Sequence, residues 1–142
     1  IYTTGNTLSL HDALPICYLA TTWLTDRRPS VRTPKYLRDN VPVDLMAAAY
    51  AWLAEAQVSQ PQANRVLEPS GYAETQGSFA QRFAREMERR WDKPCPLDLE
   101  CQSDFSEPLT RINRHSARAL CPGWNEAAFW DGLADWYQKQ FA

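Results

Sequence analysis

The spacing of apolar and polar positions changes several times along the chain, and each change predicts an element. A short helix is expected over 18–25, after which Pro29 and Pro34 force an extended passage through 30–43. Asp44 is expected to cap the next helix, 45–57, which runs Leu45, Met46, Ala47, Ala48, Ala49, Tyr50, Ala51, Trp52, Leu53 with hardly a polar face. A helix apolar on every side is normally buried between other layers, so burial is expected here. A brief strand over 65–68 and a turn at Pro69, Ser70 and Gly71 precede a second long helix. That helix has Thr75 as its N-cap and Phe79, Ala80, Phe83, Ala84 and Met87 at three- and four-residue steps, with Arg82/Glu86 and Glu86/Arg90 pairs expected on the other face. Leu97, Leu99 and Cys101 alternate with Asp98 and Glu100, the period of a half-buried strand starting after Pro96. A closing helix over 125–140, capped by Asn125, is expected to turn Phe129, Leu133, Trp136 and Tyr137 inward. Strands alternating with helices indicate an α/β or α+β unit.

Composition narrows the class without naming a function. Of 142 residues, 44% are hydrophobic and 23% charged, the balance of one soluble globular domain. No run approaches the roughly 18 apolar residues of a membrane span, and no charged-then-apolar leader is visible. A net charge of -2 supplies no basic field for nucleic acid, and the Arg27, Arg28 and Arg32 cluster reads as a solvated loop. The four cysteines form no CxxC pair, so a reducing, cytoplasmic compartment is expected. Cys95, Cys101, His115 and Cys121 offer thiolate and imidazole donors for zinc, against the plainer reading of free buried thiols. Residues 7–16, TLSLHDALPI, match the in-frame translation of a common sequencing-library adapter. Residues 1–16 are therefore expected to be disordered read-through, with residues 17–142 the folded part, itself a fragment.

Catalytic chemistry is sparse. Gly71, Gly77, Gly123 and Gly132 do not space as a phosphate cradle, no Tyr is followed four positions later by Lys, and His115 reads as a turn or surface histidine. Three blocks nevertheless occur in a telling order. Residues 38–45, RDNVPVDL, run into MAAAYAWL; RVLEPSGYAETQGSFAQRFAREM follows; and SARALCPGWNEAAFWDGLADWYQ closes the chain. This order resembles the C-terminal part of the extended short-chain dehydrogenase/reductases, the NAD-dependent epimerase/dehydratase family. Asn40, Pro42 and Leu45 depart from the family's aromatic, His and second Asp, which marks a divergent branch.

The resemblance implies an incomplete α/β domain, the substrate-binding lobe of a Rossmann-type protein. The half holding NAD or NADP and the catalytic residues would lie upstream, leaving this chain inactive alone, with no catalytic, cofactor or metal residues of its own. It implies a nucleotide-linked sugar as substrate, no nucleic acid or membrane partner, and a homodimeric parent. Arg38 and Arg111 would reach the diphosphate, with Tyr72 and Gln76 lining the pocket. Guanidinium forks suit phosphate oxygens in a way Lys does not. The structural alternative pairs Arg38 with Asp39 or Glu107. On this reading the apolar helix packs between the lobe and the cofactor domain. A rival of another class is a non-enzymatic interaction module using Trp124, Trp130 and Trp136.

Overall fold

The computed structural model describes residues 16–141, so the expectation of disorder over 1–16 lies outside the described residues except at Ile16, where it is corrected: Ile16 opens the first helix and packs against the main core. Thr75 starts the best-defined helix as its pattern predicts: its hydroxyl accepts from the Ser78 amide at 3.1 Å, satisfying an amide that the first helical turn leaves unpaired. This helix, Gln76–Trp91, presents Phe79, Ala80, Phe83, Ala84 and Met87 on one buried stripe. In chain order the elements are α1 (Ile16–Leu24), β1 (Ser30–Val31), β2 (Leu37–Asn40), α2 (Val43–Ser59), β3 (Pro69–Ser70), β4 (Tyr72–Thr75) and α3 (Gln76–Trp91). There follow β5 (Asp98–Leu99), β6 (Thr110–Arg111), β7 (His115–Ser116), α4 (Ala117–Leu120) and α5 (Glu126–Phe141).

The class is mixed α/β with small sheets. β2 is the centre of the order β4-β2-β6, antiparallel to β4 and parallel to β6, while β1 pairs with β5 and β3 with β7, both parallel. The main core lies where α1, α3 and α5 meet, with Leu19, Trp23, Phe83, Met87, Trp130 and Tyr137 buried there. Trp23 donates to the Pro96 carbonyl at 2.8 Å and Trp91 to the Ala134 carbonyl at 3.2 Å, so these two indoles are satisfied.

Several expectations are corrected. α2 is not buried on every side: only Leu45 and Ala49 are fully covered, in a small cluster with Ala117 of α4, while Val43, Tyr50, Trp52 and Val58 face outward. Met46, Ala48 and Leu53 are half-buried, so among the described residues α2 is covered along part of its surface only. Asp44 does not cap it, because the helix already begins at Val43 after Pro42. The Asp44 carboxylate sits in the first turn, where it suits the positive helix end, and accepts from the Trp124 indole at 2.9 Å.

Residues 65–68 form no strand; pairing starts one residue later, where Pro69–Ser70 meets His115–Ser116. Arg65 instead folds back on the Gln60 carbonyl and Gln62. The alternation over 97–101 yields only the two-residue β5 with both residues exposed, and Cys101 is exposed too, since one short partner strand covers one edge and no layer covers the face. In α5, Trp130, Ala134 and Tyr137 turn inward at helical steps, with Phe129 and Leu133 half-buried beside them, and Trp136 is half exposed. Asn125 does cap α5, accepting from the Ala128 amide at 3.1 Å. No helix among the described residues is long and apolar enough to cross a membrane.

Candidate anion-binding site

The central strand β2 carries Arg38 beside Arg111 of β6, the two being register partners across the parallel pair. The Arg38 Nη1 donates to the carbonyls of Leu37 at 2.9 Å and Pro108 at 3.1 Å, and its Nη2 donates to Glu107 Oε2 at 3.0 Å. Its guanidinium also lies over the Tyr36 ring, 4.4 Å from the centroid, where the ring face attracts a cation. Arg111 Nη1 reaches the same Glu107 oxygen at 3.1 Å. The two side chains differ in access: Arg38 is 15% exposed and Arg111 56%. Glu107 is held by its backbone, whose amide donates to the Tyr36 hydroxyl at 3.2 Å.

Two guanidinium groups therefore converge on one carboxylate oxygen. Neighbouring like charges repel across a strand pair, and a single carboxylate offsets only one of them. What remains is a surplus positive charge with planar N–H forks, one of them solvent-facing, which suits an oxyanion with several acceptor oxygens. Of the four residues singled out in the sequence, Arg38 and Arg111 are thus brought together, and Arg38 also makes the Glu107 pair given as its structural alternative. It does not pair with Asp39.

Asp39 has a different task. Its carboxylate accepts from the Gly71 amide at 2.7 Å and the Asn113 amide at 3.0 Å, joining β2 to the connections before β4 and after β6. This fixes the sheet on which the arginines sit. Gly71 is required at that junction: a Cβ there would stand 2.6 Å from the Asn40 carbonyl oxygen and 2.9 Å from Val41 Cα.

Tyr72 and Gln76 lie elsewhere. The Gln76 side chain is buried and its oxygen accepts from the Thr33 hydroxyl at 2.6 Å, which ties the start of α3 to the connection between β1 and β2. Tyr72 is buried and its hydroxyl donates to Glu126, which Arg118 holds through two bonds of 2.8 Å. Arg118 and Arg82 lie over the Tyr72 ring at 4.6 and 5.1 Å, and Arg82 has its own carboxylate, Glu74, at 2.7 Å. The Arg118 hydrogen bonds, assisted by Tyr72, hold the Glu126 carboxyl at about 2, although burial works against the charge. Burial, and then the bond to Glu126, pushes the Tyr72 phenol well above its ordinary value, so it is a donor and not a base. Tyr72 also lines a cleft of about 350 Å³ together with Asn40, Pro42, Phe79 and Trp130. The expected Arg82/Glu86 pair is corrected, since Glu86 takes Arg89 and Arg90 while Arg82 turns to Glu74; Arg118 and Glu126 were missed, because both pairs span eight residues across a break in the secondary structure, where no helical or strand period signals them.

The glycines among the described residues are set by packing or stand open. Gly77, like Gly71, serves close approach within the chain, with a Cβ there 2.9 Å from Pro34, and Gly123 and Gly132 stand in open positions. Gly77 stands where β4 runs into α3, but its amide donates to the Pro34 carbonyl at 3.0 Å. Nor do Cys95, Cys101, His115 and Cys121 gather: among the described residues no three His, Cys, Asp or Glu side chains form a metal-holding group. The His115 ring accepts instead from the Glu68 amide at 3.0 Å. Of the three tryptophans in the interaction reading, Trp130 is core, Trp124 is tied to Asp44, and only Trp136 is exposed. In comparisons with protein-family models, curated proteins and solved structures, nothing matches this chain.

Proposed function

We propose that this chain is the substrate-binding lobe of a divergent extended short-chain dehydrogenase/reductase, and that Arg38 and Arg111 hold the diphosphate of a nucleotide-linked sugar. The observation that carries the reading is the convergence of these two guanidinium groups on the single carboxylate of Glu107. Those are the same two arginines to which the family resemblance assigns diphosphate contact. The exposed apolar residues of α2, with Val43, Tyr50 and Val58 on one side of the helix and Trp52 on another, support a further packing partner, which on this reading is a Rossmann half of the parent protein. That half would bind NAD or NADP and carry out the redox chemistry; this chain positions the substrate. Four free thiols suit a reducing, cytoplasmic setting.

The test is isothermal titration of a nucleotide sugar such as UDP-glucose into the full chain and its Arg111→Ala variant. Arg111 is exposed, and its ion-pair partner among the described residues is Glu107 alone, so its removal leaves the fold intact. Loss of a charge-assisted bond of about 1.5 kcal/mol weakens binding roughly tenfold or more. Equal affinity of the two proteins, or no binding by the wild type, overturns the assignment.

A further inference from the structure

We infer that Glu107 is the specificity-determining residue of this site: a resident carboxylate that a ligand must displace, selecting diphosphates over singly charged anions. The inference rests on the anion-binding reading of Arg38 and Arg111. Glu107 Oε2 occupies the point where the two guanidinium groups meet, 3.0 Å from one and 3.1 Å from the other. An incoming anion therefore competes with a group already in place. A monoanion exchanges one carboxylate for another and gains no charge, while it loses its own freedom of motion. A diphosphate brings more negative charge and enough oxygens to engage both forks at once.

Displacement needs only a side-chain rotation. The Glu107 carboxylate is 39% exposed, so solvent can receive it. Its backbone stays on the Tyr36 hydroxyl, and Arg38 stays on the Leu37 and Pro108 carbonyls through Nη1. Arg38 therefore keeps its place without Glu107, while Arg111, whose ion-pair partner among the described residues is Glu107, is freed to turn toward the ligand. The other arginine cluster gives the contrast: Arg82 has Glu74 and Arg118 has Glu126, one carboxylate each, which leaves no surplus charge to draw a ligand.

The probes are inorganic pyrophosphate and acetate, titrated into the full chain. In the wild type, pyrophosphate binds at least tenfold tighter than acetate, a comparison that depends on no variant. In Glu107→Gln, pyrophosphate binds at least tenfold tighter than in the wild type and acetate binding becomes measurable. Unchanged pyrophosphate affinity in Glu107→Gln, or acetate binding the wild type as tightly as pyrophosphate, overturns the selection by Glu107 and leaves the anion site standing. Failure of both proteins to bind pyrophosphate refutes the anion site itself, and the inference with it.

Discussion

Asp39→Ala removes the one carboxylate that ties three parts of the central sheet together. In the folded chain it accepts two backbone amides, Gly71 at 2.7 Å in a partly buried position and Asn113 at 3.0 Å in an exposed one. The Gly71 amide is left poorly solvated when its charged partner goes, at a cost of about 1.5–3 kcal/mol. Water replaces most of the Asn113 bond, whose loss adds only about 0.5 kcal/mol. The sum is roughly 2–3.5 kcal/mol, which at about 4 °C per kcal/mol for a chain of this length lowers Tm by about 8–14 °C. Asp39→Asn retains one acceptor oxygen and loses about half as much. Urea and thermal unfolding followed by tryptophan fluorescence measure both, Trp23 and Trp130 reporting from the core. A loss below about 0.5 kcal/mol for Asp39→Ala would refute the account, placing the carboxylate among surface groups of no consequence to stability.

Two further outcomes follow from local geometry and charge. Gly71→Ala forces a Cβ to 2.6 Å from backbone oxygen and destabilises by about 1–3 kcal/mol, whereas Gly132→Ala, inside α5 with nothing within 4 Å of the new Cβ, stabilises by about 0.5–1 kcal/mol; equal unfolding midpoints contradict both. The Glu126 carboxyl is held at about 2, below its ordinary 4.5, chiefly by Arg118. A carboxyl depressed on folding contributes stability that is complete above 4.5 and is lost as the pH falls toward 2, so Glu126→Gln flattens the pH dependence of the urea midpoint across that window. Parallel profiles for the two proteins count against the Arg118–Glu126 pair.

The chain's readable features are those whose partners lie within one helical turn. Thr75 and Asn125 announce their helices because a cap bonds an amide three residues on. Phe79, Phe83 and Met87 mark the buried stripe of α3 because a helix repeats every 3.6 residues. The same logic misjudges α2, since composition states what a surface prefers and not whether a neighbour arrives to cover it. It also misplaces Trp136, one residue before Tyr137 and so about 100° off the inward row of Trp130, Ala134 and Tyr137.

Local pattern thus determined the mixed class, the capped helices and the core of α3. The site is of another kind. Arg38 finds Glu107 across 69 residues, and Asp39 finds Gly71 and Asn113 across 32 and 74. Arg111 stands beside Arg38 through a parallel pairing only two residues long, too short to leave a period in the sequence. Tertiary structure alone decided which charges meet, because a long-range contact depends on the path of the whole chain between its ends.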